Sequence, residues 1–403
     1  MNRLRTLLSF TTVGTFTSLA VSLTALSLLA PEEADAIPAF ARRHKISCTT
    51  CHAPFPKLKA YGDEYAGNGF VIPEDEKERD YVSAGDNLLW LNRDFPVAVR
   101  FDAYGVYEDD HEVDNDLRTP WGVKILSGGT VYKNIGYYFY FYFSERGEVA
   151  GIEDAYVHFN DVFGSTLDIM VGQFQTSDPL MKRELRLTYE DYEIYKTEVG
   201  LAQANLAYDR GVMLPFSIER SKTDVVMMVV NGNGLAEAGR DGRFDKDKYK
   251  NFGFRVNQAV EERLSLGGFA YYGKEQRGRV WEEILYLGPD ANLVLGPVEL
   301  TGQYLYRRDT NPYFFPFGPY SDREVETNGI IAEIVYSPQL DRSRHYFTLL
   351  YNMVDSDIDN LDYQTATISG TYLLARNLRL VGEYTRDIEA ENNRVVVGFT
   401  TAF

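Results

Sequence analysis

The chain has 403 residues, enough for two or three ordinary domains or for one large barrel. Asp and Glu number 59 against 41 Lys and Arg, and the net charge of −18 argues against a nucleic-acid-binding protein, which needs a basic face to meet phosphates. Aromatic residues make up 14% of the chain. The two cysteines, Cys48 and Cys51, are too few for a secreted scaffold held together by several disulfides.

Residues 1–36 have the pattern of a secretory signal peptide. Arg3 and Arg5 give a positive start, an apolar stretch follows from Leu7 to Ala30, and Ala34-Asp35-Ala36 offers a small-residue cleavage site. The length of the apolar stretch leaves a membrane anchor as the alternative. No later run approaches the ~20 apolar residues that a membrane-spanning helix needs. We therefore expect an exported chain.

The sequence Cys48-Thr49-Thr50-Cys51-His52 is a C-x-x-C-H motif, the attachment signature of a c-type haem. At this spacing the two thiols can add to the two vinyl groups of one haem, and the neighbouring imidazole can bind the iron as an axial ligand. A redox dithiol would not need His52 and usually follows a βαβ pattern. Half of a zinc site would need two further ligands, and the chain has no other cysteine. The motif predicts one covalent haem c.

The flanks of the motif predict a small haem-holding segment over residues 37–95. Residues 38–48 can form a helical turn that leads into the motif, and Pro54 and Pro56 would end any helix quickly. A segment of this size is marginal as an independent domain. We expect it to be stabilised by the covalent haem or by docking inside a larger structure.

Residues 96–403 alternate apolar and polar side chains with a period of two, the pattern of half-buried β-strands. In the last segment, for example, Val395, Val397 and Phe399 share one face. The alternation predicts sixteen strands, at residues 97–107, 121–132, 135–145, 152–160, 166–175, 211–220, 223–231, 250–260, 263–273, 279–295, 298–308, 328–337, 344–354, 363–374, 377–387 and 393–403.

Short connections alternate with longer, more polar ones along this series, which is the pattern of bacterial outer-membrane barrels. Strands of ~10 residues also match the thickness of a bilayer. A soluble sandwich or propeller would show the same alternation with its apolar face buried. The signal peptide, the alternating loop lengths and the aromatic strand ends favour the membrane barrel. The predicted fold class is therefore all-β: an outer-membrane barrel of about 16 antiparallel strands, in a Gram-negative bacterium, with a small N-terminal α-helical haem segment at its periplasmic side or in its lumen.

Two of the longer loops carry chemistry of their own. The loop at 176–210 is long enough to fold into the pore, where Asp178-Pro179 can begin a short helix and Arg183 and Arg186 would line a constriction. The loop around Glu108-Asp109-Asp110-His111-Glu112 offers oxygen and imidazole ligands that suit a divalent cation such as Fe(II). A solvated acidic loop is the more ordinary interpretation of that second segment.

Four short segments together resemble the fused monohaem cytochrome–porins: Ile37-Pro38-Ala39-Phe40-Ala41-Arg42, Ser47-Cys48-Thr49-Thr50-Cys51-His52, Phe55-Pro56-Lys57-Leu58 and Gly67-Asn68-Gly69-Phe70. The best understood members of that family are outer-membrane iron oxidases of iron-oxidising bacteria. The resemblance covers roughly residues 37–70. It implies covalent haem at Cys48 and Cys51, with His52 as an axial iron ligand.

A haem in a porin-like barrel predicts a conduit for single electrons, because an outer membrane carries no respiratory chain of its own. The expected partners are an extracellular one-electron donor, with Fe(II) favoured, and a periplasmic c-type cytochrome; the activity would be that of an iron:cytochrome c oxidoreductase. Many relatives occur in organisms that reduce metals, so the same conduit run outward is one alternative. A diffusion porin for small solutes, with a structural or sensory haem, is the other.

The sixth ligand of the predicted haem iron is not given by the motif. No methionine other than the initiator precedes Met170, so a nearby downstream methionine ligand is absent. His44 lies only four residues before the motif, too close to reach the far face of the haem. His158 and Met170 fall on the lumen faces of two neighbouring predicted strands and are the candidates, and Met181 is left open.

Replacing Cys48 or Cys51 with Ala should abolish stable haem attachment, because no other thiol is present to form the second thioether. The measurement is haem staining of the denatured protein on a gel. The Ser47→Ala variant is the control, since it changes the adjacent residue and keeps both thiols. Normal haem staining of either cysteine variant would overturn the motif assignment.

Overall fold

The computed structural model describes residues 39–72, 95–109, 114–149, 151–316 and 323–403. The predicted signal peptide at 1–36 lies outside the described residues, as does most of the acidic segment that contains His111. The boundary between the predicted haem segment and the barrel, near residue 95, falls where the second described range begins.

Within these residues the chain forms one closed barrel of sixteen antiparallel strands, in which each strand pairs with its neighbours in sequence and the last strand pairs with the first. The strands are β1 (Val97–Glu108), β2 (Asn115–Tyr132), β3 (Ile135–Glu145), β4 (Gly151–Phe159), β5 (Ile169–Phe174), β6 (Asp209–Ile218), β7 (Thr223–Val230), β8 (Asn251–Glu261), β9 (Leu264–Arg277), β10 (Val280–Leu295), β11 (Val298–Asp309), β12 (Val325–Tyr336), β13 (His345–Ser356), β14 (Tyr363–Ala375), β15 (Leu378–Asp387) and β16 (Asn393–Ala402). The predicted fold class is confirmed.

The apolar face of the strands points outward. On β13 the side chain of Phe347 is 48% exposed while its neighbour Thr348 is 1% exposed, and Leu349 again lies on the outside. The same alternation places Leu287 and Tyr304 outside and Gln303 inside. A soluble sandwich would bury the apolar face, so this arrangement selects the membrane form of the two architectures that the alternation allowed.

Two strands, β2 and β9, extend farthest beyond the ends that the alternation predicted. β2 begins at Asn115 rather than 121, and its added end pairs with β1, where Arg118 forms an ion pair with Glu108 at 3.0 Å. β9 runs to Arg277 and turns directly into β10 through Gly278, whose φ of +64° suits a tight hairpin. The predicted boundaries were wrong there because charged residues continue the backbone ladder beyond the apolar belt.

The helices are short and lie mainly at the N-terminal side. They are α1 (Ala39–His44), α2 (Cys48–Cys51), α3 (Ala60–Gly67) and α4 (Glu193–Lys196), with single 3-10 turns at Val162–Gly164, Arg183–Leu185, Leu340–Arg342 and Asp359–Leu361. Among the described residues no helix is long and apolar enough to cross a membrane. The predicted helical segment before the barrel is thus confirmed as three short helices.

The loop between β5 and β6, residues 175–208, folds into the lumen as expected. Ile194, Tyr195 and Leu206 are fully buried in an apolar core that they form with inward-facing residues of the wall. Polar contacts hold the loop as well: the backbone N–H groups of Tyr189 and Glu190 donate to the carboxylate of Glu383 on β15 at 2.7 and 2.9 Å. The helix predicted from Asp178-Pro179 is wrong, since turns occupy residues 176–180.

An epitope inserted at about residues 236–246, in the loop between β7 and β8, should be reachable by antibody on intact cells. An identical insertion in the 338–343 turn between β12 and β13 should be reachable only after the outer membrane is permeabilised, because short turns lie on the periplasmic side of such barrels. Surface labelling before and after permeabilisation measures both. The reversed pattern would invert the barrel and move the N-terminal segment to the cell exterior.

Candidate haem-binding cavity

A single helical turn, α2, brings the three residues of the motif to one side. Ser47 begins it, with its side chain accepting a hydrogen bond from the backbone N–H of Thr49 at 3.3 Å, and the N–H of His52 closes the turn on the carbonyl of Cys48 at 2.9 Å. Cys48, Cys51 and His52 consequently line the same cavity. The structure brings together the residues that the motif predicted.

The ring of His52 is oriented by the chain just after the motif. Its Nδ1 lies 2.7 Å from the carbonyl oxygen of Pro56, which can only accept, so Nδ1 carries the proton and Nε2 keeps its lone pair. Burial lowers the pKa of His52 below its ordinary value, although the backbone carbonyls of Pro56 and Lys57 act against that shift. A neutral imidazole with a free Nε2 is the form that binds iron.

The two thiols lack the lowered pKa that is typical of a reactive C-x-x-C redox pair. Burial raises the pKa of both Cys48 and Cys51, whereas reactive C-x-x-C thiols have lowered pKa values. A zinc site would also need thiolates and further ligands. Among the described residues no cluster of three or more His, Cys, Asp and Glu side chains has the arrangement of a metal-ion site.

The cavity lies between the N-terminal segment and the inner wall of β1–β4, and its empty volume is about 1410 Å³ including its open mouth. One part of the lining is apolar and comes from both sides: Phe40, Ile46, Leu58, Tyr65, Phe70, Leu126, Tyr138 and Tyr156. The other part is charged: Arg100, Lys124, Asp154, Asp178, Lys182 and Glu184. A haem is a flat apolar ring with two carboxylates at one edge, so the residues present fit it.

Charged contacts hold the segment inside the short-turn mouth of the barrel. The Lys57 ammonium lies 2.9 Å from Glu299 on β11 and 3.7 Å from Glu333 on β12, both on the inner wall. Burial by itself would lower the pKa of Lys57, but these two carboxylates outweigh it and raise that pKa. Lys59 pairs with Asp341 at 2.7 Å, and the Tyr346 hydroxyl donates to the carbonyl of Phe55. The expected docking of the segment in a larger structure is thus observed.

On the opposite side the backbone of the segment packs directly against β3 and β4. Gly69 has a φ of +61°, and its carbonyl oxygen sits where a Cβ on Gly136 would have to be. Asn160 donates to the carbonyl of Asn68 at 2.6 Å, and the ring of Phe70 stacks on Tyr138 with centroids 4.7 Å apart. The close fit therefore requires glycine at both positions.

None of the candidate sixth ligands is among the residues that line the cavity, and His158 lies beside the contact at Gly69. His158 is fully buried on the inner face of β4, as predicted, with its Cβ 3.0 Å from where a Cβ on Gly69 would sit and its Nε2 3.4 Å from a carboxylate oxygen of Asp168. Met170 packs at the edge of the apolar core that includes the lumen loop, and so does Met181. The assignment of either His158 or Met170 to the iron stays a prediction.

Several cavity residues were missed by the sequence reasoning. In the aromatic run from Tyr137 to Phe143, the period-two alternation turns Tyr138 and Tyr140 toward the lumen, and both line the cavity. Lys124 and Asp154 were not singled out at all. Their signal was a charged residue on the inner face of a strand, which becomes meaningful only once the segment is docked opposite.

The comparisons with known proteins concern the barrel. No protein-family model and no curated protein matches the sequence. Among solved structures, the anion-selective porin from Comamonas acidovorans is similar over 76% of this chain and 98% of its own, with a TM-score of 0.55 and 11% identity. The chain has the fold of the outer-membrane porins. OmpF of Salmonella typhi, in a complex with daunomycin, gives a TM-score of 0.55 at 10% identity, covering 76% of this chain and 97% of that one.

A loop-deletion form of OmpT of Vibrio cholerae is similar to the same extent, with a TM-score of 0.53, 12% identity, and coverage of 76% of this chain and 98% of that one. This porin fold indicates an outer-membrane location. The matched 76% of this chain equals in length the part from β1 to the C-terminus. The unmatched remainder equals in length the residues before β1, which include the two cysteines.

The Gly136→Ala variant should loosen the segment from the barrel, because the added methyl group would overlap the carbonyl of Gly69. Overpacking of this kind costs about 1–3 kcal/mol. The measurement is the rate at which trypsin cleaves within residues 39–72 of the folded protein. Gly382→Ala on β15 is the control, since no described atom lies within 4 Å of its Cβ position. Equal cleavage rates for the two variants would contradict the docking geometry.

Proposed function

We propose that this protein is an outer-membrane electron-transfer cytochrome–porin. It holds one covalent haem c and exchanges single electrons between an extracellular donor, favoured to be Fe(II), and a periplasmic c-type cytochrome, as an iron:cytochrome c oxidoreductase would. The observation that carries the proposal is the position of the C-x-x-C-H motif: its two thiols and its imidazole line one cavity inside the mouth of a porin-type barrel.

The chain's own residues have distinct parts in this proposal. Cys48 and Cys51 tether the haem, and the carbonyl of Pro56 holds the His52 ring so that Nε2 can bind the iron. Phe40, Tyr65 and Phe70 pack together over the apolar part of the cavity, where they exclude water. A haem bound there would supply a one-electron iron couple.

The lumen loop brings packed atoms across part of the pore, as electron passage requires. The loop meets the inner wall on several sides: Tyr189 contacts Tyr104 on β1, Tyr192 donates to Glu333 on β12 at 3.1 Å, and the amide of Asn352 on β13 donates to the carbonyl of Asp191 at 2.5 Å. On another side of the lumen, Tyr208 donates to Glu153 on β4 at 2.6 Å. The loop narrows the lumen on these sides, while a cavity of about 2100 Å³, counted to its open mouth, remains between the loop, the N-terminal segment and the inner faces of β7–β12. Electron transfer needs only short distances through packed atoms.

The long-loop end of the barrel carries an acidic rim on one side, formed by connections that border β1, β2 and β13–β16. Its exposed members are Asp114, Asp116, Asp357, Asp359, Glu389 and Glu391. Clustered carboxylates raise the local concentration of cations and speed their encounter with the surface. The rim supports a cationic outside partner such as dissolved Fe(II).

Two alternatives have observations of their own. The porin fold is equally compatible with a diffusion porin for small solutes whose haem is structural or sensory. The same conduit run outward, for reduction of extracellular metal, needs the same cavity and the same barrel. Single-channel conductance of the purified protein tests the first alternative, because a diffusion porin should show the ion conductance of an open pore, whereas a conduit whose lumen is narrowed by the loop and the segment should conduct less.

Mixed anaerobically with Fe(II), the purified protein in detergent should rapidly show the absorption bands of reduced c-type haem. A triple variant of the rim, Asp357→Asn, Asp359→Asn and Glu389→Gln, should react roughly twofold to tenfold more slowly at low ionic strength, because it attracts the cation less. Stopped-flow absorbance gives the rate. The difference from wild type should shrink as salt is added.

The matched control neutralises three exposed carboxylates at the short-turn end, in the variant Asp161→Asn, Glu219→Gln and Glu262→Gln. It has the same net charge as the rim variant and should react at the wild-type rate. If Fe(II) leaves the haem oxidised while dithionite reduces it fully, iron oxidation is rejected, and the outward direction or a different donor takes its place.

A further inference from the structure

A smaller cavity than the haem-binding cavity lies in the lumen, between the loop and the inner faces of β1–β3 and β15. It has about 480 Å³ of empty space counted to its open mouth. Four arginines line it, Arg100, Arg146, Arg186 and Arg379, together with the carboxylates of Asp102, Glu145 and Glu184. Cations therefore outnumber anions around a water-accessible space inside the barrel.

Arg379, on β15, is the residue that makes this cavity unusual. It is 3% exposed, and its Nε and Nη1 have no hydrogen-bond partner among the described residues. The Nε of Arg186 also has no hydrogen-bond partner among the described residues. It lies 3.9 Å from a carboxylate oxygen of Asp191. A buried guanidinium without an acceptor is costly, because the group loses its hydration and gains nothing in return. The arrangement calls for an acceptor that the protein does not itself provide.

The carboxylates nearby are largely committed to other cations. Asp102 pairs with Arg100 at 2.9 Å, and Glu184 accepts from the ammonium of Lys124 at 2.7 Å and from the hydroxyl of Tyr142 at 2.9 Å.

Asp191, behind the cavity, is shared by Arg183 at 2.6 Å and Arg146 at 2.9 Å. Although burial would raise it, the pKa of Asp191 is held well below its ordinary value by Arg186 and Arg183, with a further contribution from Lys196. Asp191 is therefore ionised and already paired with arginines. Among the carboxylates that line the cavity, Glu145 alone has no cationic partner in the described contacts.

We propose that this cavity binds one small multivalent oxyanion, of the class of inorganic sulfate or phosphate, through Arg379, Arg186 and Arg100. The planar guanidinium group donates two parallel N–H groups to such an oxyanion, which suits the unpaired Nε and Nη1 of Arg379. This site does not depend on the haem assignment. It shares Arg100 and Glu184 with the haem-binding cavity, so a haem carboxylate is the competing source of negative charge.

Isothermal titration of the purified, haem-loaded full-length protein with sodium sulfate, and separately with sodium phosphate, tests the site. Wild type should bind with a stoichiometry of one. Arg379→Gln should weaken binding by roughly tenfold or more, because it removes a charge-assisted donor pair. Arg379→Lys should lie between the two, since it keeps the charge but loses the paired donors. Arg240→Gln, on an exposed loop, removes the same charge elsewhere and should bind like wild type.

Heat-modifiable migration on a gel shows whether each variant is folded, and Arg186→Gln replaces Arg379→Gln if the latter does not fold. The proposal is overturned if wild type shows no saturable sulfate or phosphate binding, which would leave the arginines to a haem carboxylate or to water. It is also overturned if the Arg379 and Arg186 variants bind as tightly as the Arg240 control.

Discussion

Hydrogen bonds between β1 and β16 close the sheet on itself, from Arg100 opposite Ala402 to Glu108 opposite Arg394. In lipid this closure is necessary, because an open sheet edge would leave backbone N–H and C=O groups without partners. A closed ring of sixteen strands also encloses a lumen too wide to be filled by wall side chains alone. The two interior features of this protein, the docked N-terminal segment and the lumen loop, occupy that space.

Both interior pieces satisfy charges that the wall presents to the lumen. Glu333 on β12 receives the ammonium of Lys57 from the segment and the hydroxyl of Tyr192 from the loop, while Glu383 on β15 receives two backbone N–H groups of the loop. Buried carboxylates without such donors would be expensive. The polar inner face of the barrel therefore acts as a template that positions the segment, and through it the motif, at one mouth.

The haem-binding cavity and the arginine-lined cavity are neighbours because they share part of the wall. Arg100 and Glu184 border both, and the rings of Tyr140 and Tyr142 lie between them with centroids 5.7 Å apart and with the ammonium of Lys124 4.6 Å from the first ring. Charge bound in one cavity therefore lies close to the other cavity. Much of the water is excluded from this region, so electrostatic interactions between the two cavities are poorly screened.

The sequence by itself determined whatever depends on near neighbours along the chain. The C-x-x-C-H spacing predicts the haem-binding motif, and period-two alternation predicts sixteen strands closely, because side chains on a strand alternate faces wherever it lies. Where charged residues continue a ladder, at the ends of β2 and β9, the alternation failed. The direction of the apolar face, the fit of Gly69 against Gly136, the pairing of Lys57 with Glu333 and the unpaired Arg379 were decided by the tertiary structure alone. Each joins residues far apart in the chain, so no local pattern carries it.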